Sequence, residues 1–442
     1  MSSAISTGPM KAVDFYRRQF VEHSGGRLQR EPAWLSLLRR ESIERFLDRG
    51  FPTTNDEDWR FTSVAPLLST QFFLGAGSSD EEVRELLTDH LGDEWKRHEI
   101  VFVNGRFAPE YSALGDVPAG VVVETLPSAL ENHPEEVEAV LGVSPAEGAS
   151  AFHDLNRAFL ADGAFVLVPE GVVVDRPIHI VHLSSAGKPA ASHPHHIVLA
   201  ERGAQVRVVE SYLGRGGAPS FTNAAAEIVA GEGANVDHYR IQREGDGAFH
   251  IGSARLLQTE GATLQSYSLS LGARLARVDI QSLLDGEGAD LTLNGLYVVK
   301  GSQHVDHHTL IDHQKPRGTS RELYKGVLDG ASSGVFNGRI IVRPGAQKTN
   351  AQQTNKNLLL SEEALVNTNP QLEIGADDVK CAHGATIGQL DKDALFYLRS
   401  RGIGREEARS ILTRAFVADV SERIRIAAVR DAMRRFVFAE AA

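Results

Sequence analysis

Two clusters of side chains in this chain could do chemistry. The first is Lys380-Cys-Ala-His-Gly-Ala-Thr, which holds the single cysteine, Cys381, two residues before His383. In an extended segment, residues two apart point the same way, so a thiolate and an imidazole would share one face. Both are competent iron ligands, and mixed Cys/His ligation of an iron–sulfur cluster is chemically sound. A cluster takes four protein ligands, so one cysteine limits the chain to part of a shared site. Spacing alone does not separate such a ligand from a small apolar filler, the ordinary role of a buried free cysteine. The second cluster is Gln303-His-Val-Asp-His-His-Thr-Leu-Ile-Asp-His, which packs four of the 17 histidines into ten residues. As a strand it would put His304, Asp306 and His308 on one face, and His307 and His313 on the other. A His/Asp/His face can hold a divalent metal. Polar side chains stacked on a β wall are the competing reading.

Glycine-rich segments offer no nucleotide site. Gly402-Ile-Gly-Arg lacks the third glycine and preceding strand of a dinucleotide fold, and Gly345-Ala-Gln-Lys-Thr lacks the spacing of a phosphate loop. Neither ATP nor NAD is expected on this chain. A net charge of −12 argues against a broad nucleic-acid surface, which needs concentrated Lys and Arg. The C-terminal run with Arg423, Arg425, Arg430, Arg434 and Arg435 is interrupted by Glu422 and Asp431, as on a solvated helix face. No apolar run approaches the twenty residues of a membrane span. Met1 to Phe20 lacks the apolar stretch of a signal peptide. With one cysteine and no internal disulfide, a reducing, cytoplasmic setting is expected.

The elements that must position these residues change character along the chain. Residues 1–150 read as a helical region: Pro32 to Phe46 and Asp80-Glu-Glu-Val-Arg-Glu-Leu-Leu carry helical spacing. Phe51 to Phe61 is a punctuating loop, and Glu99 to Phe107 a hairpin turning on Asn104-Gly105. Residues 134–150 are rich in Pro, Glu, Gly and Ser and are expected to form a boundary. Over 151–388, short β-rich runs alternate with Gly-Ala turns. The glycines at 203, 233, 261 and 288 are spaced by 30, 28 and 27 residues, with less regular pairs at 330, 345, 375 and 384. A glycine frees the backbone for a sharp corner. Repetition at a loose period predicts stacked coils of a β-solenoid, each burying its inner face against its neighbours. An ordinary β-sandwich is the rival architecture. Residues 389–442 return to helix. Asp391 is expected to cap Lys392–Ser400, with Gly402 as the stop. Ala408, Ile411, Leu412, Ala415 and Phe416 form an amphipathic stripe, and Ser421 is expected to cap a last helix carrying Ile426, Val429, Met433 and Phe436. These helices would cover the open end of the solenoid, dock a partner, or both.

Beyond these patterns, the chain resembles a known family over nearly its whole length. Cys381-Ala-His-Gly-Ala-Thr, Phe396-Tyr-Leu-Arg-Ser-Arg-Gly and Glu406-Glu-Ala resemble the C-terminal signature of the SufB/SufD family of the bacterial SUF iron–sulfur cluster assembly complex, on its SufD side. Arg317-Gly-Thr-Ser-Arg-Glu-Leu-Tyr-Lys-Gly-Val, Phe336-Asn-Gly-Arg-Ile, Gln353-Thr-Asn-Lys-Asn-Leu-Leu-Leu, Asn367-Thr-Asn-Pro-Gln-Leu-Glu-Ile and Asp58-Trp-Arg-Phe-Thr match in order. The resemblance implies a mainly β protein, a right-handed parallel β-helix between helical ends, acting as a non-catalytic scaffold. It implies pairing with a SufB-like subunit, and a SufC-like ATPase docked on the C-terminal helices, around Phe396, Tyr397, Arg399, Arg401, Ile411 and Phe416. It implies a transient iron–sulfur cluster shared with the SufB-like subunit, with His383 as the matching ligand and Cys381 less securely so. The SufB paralogue carries His-Glu-Ala-Thr where this chain has His383-Gly-Ala-Thr, and generally has more cysteines.

Two readings from other classes stand beside this one. A carbohydrate-active β-helix enzyme would use paired carboxylates, with Asp306 and Asp312 as candidates. A homo-oligomeric metal-binding protein would use the 304–313 histidines. A homodimer of the isolated chain is also expected, since a surface built for a homologous partner can meet itself.

Overall fold

Local sequence sets the first elements. The structure, a computed structural model, describes residues 9–26, 28–75, 78–90, 95–142, 150–185 and 187–440. The N-terminal region holds helices α1 (Pro9–Ser24), α2 (Ala33–Arg49), α3 (Ala65–Leu68) and, after strand β1 (Phe73–Leu74), α4 (Asp80–His90). Strands β2 (His98–Val103), β3 (Arg106–Phe107) and β4 (Val122–Thr125) follow, then α5 (Leu126–Asn132), α6 (Pro134–Leu141) and α7 (Ala151–Phe159). The β2–β3 hairpin turns on Asn104 and Gly105, both at positive φ, as its Asn-Gly pair demands. The expected boundary at 134–150 is corrected in its first half. Residues 134–141 form α6, whose Val137 and Leu141 are buried, while 143–149 lie outside the described residues.

The solenoid strands are β5 (Ala164–Val168), β6 (Ile178–Ser184), β7 (Ala190–Ser192), β8 (His195–Ala200), β9 (Gln205–Gly214), β10 (Ser220–Ala230), β11 (Asn235–Arg243), β12 (Phe249–Gln258) and β13 (Thr263–Leu271). They continue as β14 (Leu275–Leu284), β15 (Asp290–Val299), β16 (His304–His313), β17 (Thr319–Leu328), β18 (Ser333–Val342), β19 (Asn350–Leu359), β20 (Leu365–Ile374) and β21 (Lys380–Gln389). Even-numbered strands from β8 to β20 stack in parallel in one sheet, and odd-numbered strands from β9 to β21 in the other. This is a parallel β-solenoid. Gly203, Gly233, Gly261 and Gly288 each take φ between 62° and 70° at one corner, which a side chain would strain. Their N–H groups bond to the next coil: Gly203 to Glu232 O at 2.7 Å, Gly233 to Glu260 O at 2.8 Å and Gly261 to Glu287 O at 2.9 Å. The following Ala204, Ala234, Ala262 and Ala289 are fully buried. The recurring pair thus marks real corners, except Gly384-Ala385, which lies inside β21.

The two ends of the stack differ. At the start, β2 and β3 extend one sheet and β4 the other. At the finish, among the described residues, β21 pairs only with β19 and β20 only with β18, so both strands have an open edge. The C-terminal helices α8 (Lys392–Ser400), α9 (Arg405–Ser421) and α10 (Ala427–Glu440) do not cover it. Instead α9 and α10 turn back along the outer face of the odd-numbered sheet, where Val417, Val420, Val429, Met433 and Phe436 pack on Tyr239, Tyr267 and Leu296. Asp391 caps α8 as expected, accepting from Asp393 N at 2.8 Å and Ala394 N at 3.2 Å, and Gly402 ends it at φ 85°. Ser421 ends α9 rather than capping α10, and Ile426 precedes α10. The face that α9 buries is also rotated from the expected stripe: Thr413, Val417 and Val420 are buried and Ala415 is exposed. Arg425 pairs with Asp237 at 3.2 Å and Arg434 with Glu422 at 2.5 Å, so these members of the arginine run make intramolecular ion pairs. Among the described residues, no helix is long and apolar enough to cross a membrane.

Glycines inside the strands have a second use. A Cβ on Gly326 would sit 2.1 Å from the Tyr297 ring and 2.5 Å from Asn357 Oδ1, whereas one on Gly233 meets nothing within 4 Å. Gly233→Ala should therefore cost about 1 kcal/mol from backbone strain, and Gly326→Ala about 3 kcal/mol from overpacking. Urea unfolding of both variants checks this, and the reverse order would refute it.

Candidate functional site

Strand alternation fixes what the open end presents. In β21, Cys381 pairs with Ala351 and His383 with Gln353 of β19. Ala351 and Gln353 are buried and point into the solenoid, so Cys381, His383, Ala385 and Ile387 form the last inward row at its mouth. Cys381 is half-buried and His383 exposed, on the same face as expected. Burial raises the Cys381 thiol above its ordinary value, offset in part by a hydrogen bond from the Ala351 backbone. One thiol and one imidazole make half of a four-ligand set, so these residues fit a shared site and not a complete one. Exposed apolar side chains lie along both edge strands: Leu365 is 59% exposed, Ile374 48% and Ile387 50%.

The residues expected to meet a partner divide into two groups. On α8, two residues beyond the end of β21, Phe396 is 73% exposed and Tyr397 57%, and Arg399 and Arg401 are exposed. Arg401 lies over the Tyr397 ring at 5.2 Å and donates to its hydroxyl at 3.2 Å. Ile411 and Phe416 on α9 are half-buried. Phe416 serves the fold: Lys325 Nζ lies 4.6 Å from its ring, donates to its carbonyl at 2.6 Å and pairs with Asp419 at 2.5 Å.

The 304–313 segment is a strand, and His304, Asp306 and His308 do share a face. That face meets the N-terminal region and is already committed. Asp306 pairs with Arg277 at 2.7 Å and accepts from Thr62 at 2.5 Å. Burial would raise its carboxyl, but Arg277 and His308 hold it well below the usual range. Thr62 gives its proton to Asp306 and so accepts from His304 Nε2 at 2.9 Å, while His304 Nδ1 bonds Ser333 at 2.7 Å. Both ring nitrogens are engaged and a guanidinium stands where a cation would go. Among the described residues no group of three His, Cys, Asp or Glu is arranged for a metal ion. The metal expectation here is therefore corrected to an ion-paired seam. Asp306 and Asp312 also fail as a catalytic pair. Each is paired to an arginine, Asp312 with Arg343 at 2.7 Å, and six residues of strand separate them by roughly 20 Å, too far for glycoside hydrolysis. A groove of about 640 Å³ beside this seam is lined by five arginines and five acidic side chains, a mixed lining without a single dominant sign of charge.

The feature that sequence reasoning missed is the polar interior. His182 Nε2 meets His196 Nε2 at 2.8 Å, Tyr212 donates to Glu210 at 3.0 Å, and His238 lies 3.3 Å from Glu210. Arg240 bonds His250, whose Nδ1 lies 2.7 Å from Glu244. Nearer the mouth, Tyr297 donates to Asn357 at 2.5 Å, Asn357 to Asn355 at 2.6 Å, and Gln353 to Glu322 at 2.6 Å. Four glycines clear the space. A Cβ on Gly252, Gly295, Gly326 or Gly338 would lie within 2.2 Å of Arg240, Tyr324, Tyr297 or Gln353 respectively. The available signal was a glycine inside a strand, which marks the close approach of another group.

Two family models cover nearly all of the chain. The SUF system FeS cluster assembly SufBD core domain matches residues 182–416, and the SufBD protein N-terminal region matches residues 10–180. The chain is 34% identical over 399 residues to an iron–sulfur cluster assembly SufBD family protein of Synechocystis, covering 87% of this chain and 86% of that one. It is 33% identical to the iron–sulfur cluster assembly protein SufD of Escherichia coli over 87% of this chain and 88% of that protein. The SufD of Bacillus subtilis is 27% identical over 90% of this chain and 92% of its own length.

The interior makes a pH-dependent contribution to stability. Burial holds His193 and His307 down to about 3, and His196 and His313 down to about 4, so all four are neutral in the fold. The unfolded chain protonates them near the ordinary histidine value and binds more protons, so stability is lost as pH falls from about 6.5 toward 4. Glu227 and Glu322, pushed up to about 7 by burial, act in the opposite sense, adding stability as pH falls through 7 toward 4.5. Histidines outnumber them, so the melting temperature at pH 5 should lie about 5 °C or more below that at pH 7. Calorimetry decides it; a melting temperature that is level or rises toward pH 5 would remove these histidines as neutral groups.

Proposed function

The chain belongs to the SufBD family of SUF iron–sulfur cluster assembly proteins, and from that premise we propose that it is a SufD-like scaffold subunit whose open solenoid end meets a SufB-like subunit. The observation that carries this is the uncapped end itself. Two parallel edge strands with exposed apolar side chains are ready to pair with a strand of another chain. His383 and Cys381 stand on that edge, where a nascent cluster, as cargo, would take its remaining ligands from the partner. A partner strand over β21 would also dehydrate the site, and metal binding would draw the proton from the Cys381 thiol. The exposed Phe396 and Tyr397 on α8 offer aromatic anchors for a SufC-like ATPase. The chain's own part is to hold ligands and partners in place rather than to catalyse, in a reducing cytoplasmic setting where a lone thiol stays free. Without its partner, the same edge can pair with a second copy and give a homodimer.

Co-expression with SufB-like and SufC-like subunits tests these assignments. His383→Ala should lower iron and sulfide per complex about tenfold after anaerobic reconstitution, with Cys381→Ser having a smaller effect. Normal loading in His383→Ala would remove the site. Phe396→Ala with Tyr397→Ala should weaken the ATPase contact about 30-fold by titration calorimetry without altering pairing to the SufB-like subunit. Unchanged ATPase affinity would move that contact elsewhere.

A further inference from the structure

The row beneath His383 is built in a way that the shared site alone does not explain. Gln353 of β19 is its register partner, and Glu322 of β17 is the register partner of Gln353, so the three stand in one inward column. Gln353 is 1% exposed and its Nε2 donates to Glu322 at 2.6 Å. Its amide oxygen is buried and has no hydrogen-bond partner among the described residues. A buried acceptor without a donor is unfavourable, and this one lies one coil beneath His383, where a donor from β21 would satisfy it. The space it occupies is reserved: a Cβ on Gly338 would come within 2.2 Å of the Gln353 nitrogen. The nitrogen is committed to β17, which leaves the amide oxygen for another donor.

Resting on the shared-site reading of His383, we propose that Gln353 is a positioning residue: its amide oxygen accepts the second N–H of the His383 imidazole when that ring turns inward to ligate the cluster, and Glu322 holds the amide in the required orientation. A metal-ligating histidine ordinarily donates its other ring N–H to a nearby acceptor, which fixes its tautomer and raises its basicity. Here the acceptor is a neutral amide one coil inside the mouth, and the carboxylate acts through it. His383 makes no such bond while β21 is an open edge; the pair closes when a partner strand covers the mouth.

The experiment uses the complex assembled with its SufB-like and SufC-like subunits, reconstituted with ferrous iron and sulfide. Gln353→Ala should speed cluster loss to a chelator about 10–100-fold. It should also shift the nitrogen hyperfine coupling seen by electron spin-echo modulation of the reduced cluster. The swapped pair Gln353→Glu with Glu322→Gln retains the inner hydrogen bond and presents an oxygen to His383, so it should restore both readouts. A merely structural role for Gln353 would leave the nitrogen coupling unchanged in any complex that still assembles, and that result overturns the proposal. So does a folded swap variant that behaves like Gln353→Ala. If His383→Ala itself retains the cluster and its nitrogen signal, the shared-site reading falls and takes this one with it; loss in His383→Ala beside an unaffected Gln353→Ala removes the positioning role alone.

Discussion

A stack of parallel coils ends in two rows of unpaired backbone donors and acceptors, and the rest of this structure is arranged around how each row is dealt with. At the start, β2, β3 and β4 extend the two sheets and the β2–β3 hairpin turns back on itself. At the finish, β20 and β21 are left with one neighbour each among the described residues. An open edge is normally a liability, blunted by charge, proline or a covering element. Here the chain supplies three helices immediately afterwards, yet α9 and α10 are bound along the side of the sheet by an apolar cluster and by Lys325. Material that could have sealed the end is held away from it. That placement leaves the edge open for the proposed partner, with the only cysteine on its last strand.

The interior obeys a different balance. A solenoid can fill its axis with aliphatic side chains, and part of this one does, with Val206, Val236, Leu264 and Leu291 stacked in successive coils. The parallel column of histidine, glutamate, tyrosine and amide groups is more expensive, because each must be hydrogen-bonded or neutral to be buried. Burial keeps histidines such as His307 uncharged. Burial would raise Glu210, but His238 beside it holds it ionised. The four glycines show that the column is accommodated by the backbone and is not a packing accident. It reaches the mouth at Gln353 and Asn355, directly beneath the row that carries His383.

Much of this was legible in the sequence, for identifiable reasons. Only glycine takes the corners at 203, 233, 261 and 288 without strain, so the coil period shows on the surface of the sequence. Asp391 and Gly402 bracket α8 through local hydrogen bonding and local φ, which need no tertiary context. Alternation correctly grouped Cys381 with His383, and His304 with Asp306 and His308. What alternation cannot say is which of two faces is inside. It could not show that Arg277 and Thr62, from distant positions, would occupy the His304 face. An amphipathic stripe likewise tells that α9 covers something and leaves open what, and the true face was rotated to bury Thr413 in place of Ala415. The interior column was hidden because its residues alternate with tyrosine and leucine that are buried on the outside, under α9 and α10.

The proposed half ligand set has a physical reason to lie on an edge strand. A complete site would bind its cluster in the isolated chain, and release would then have to overcome four ligands at once. With one thiol and one imidazole on β21 as the proposed ligands, affinity would exist only while a second chain completes the set. The raised thiol works in the same direction: burial makes Cys381 resist becoming a thiolate in the free chain, and a metal held by the proposed partner would supply the charge that stabilises it. The backbone edge would respond to the same event, since a partner strand on β21 would both satisfy its open donors and close the mouth over His383. On the proposed reading, cluster binding and subunit pairing would be linked through one strand: whatever free energy the cluster adds to pairing, pairing adds to cluster binding.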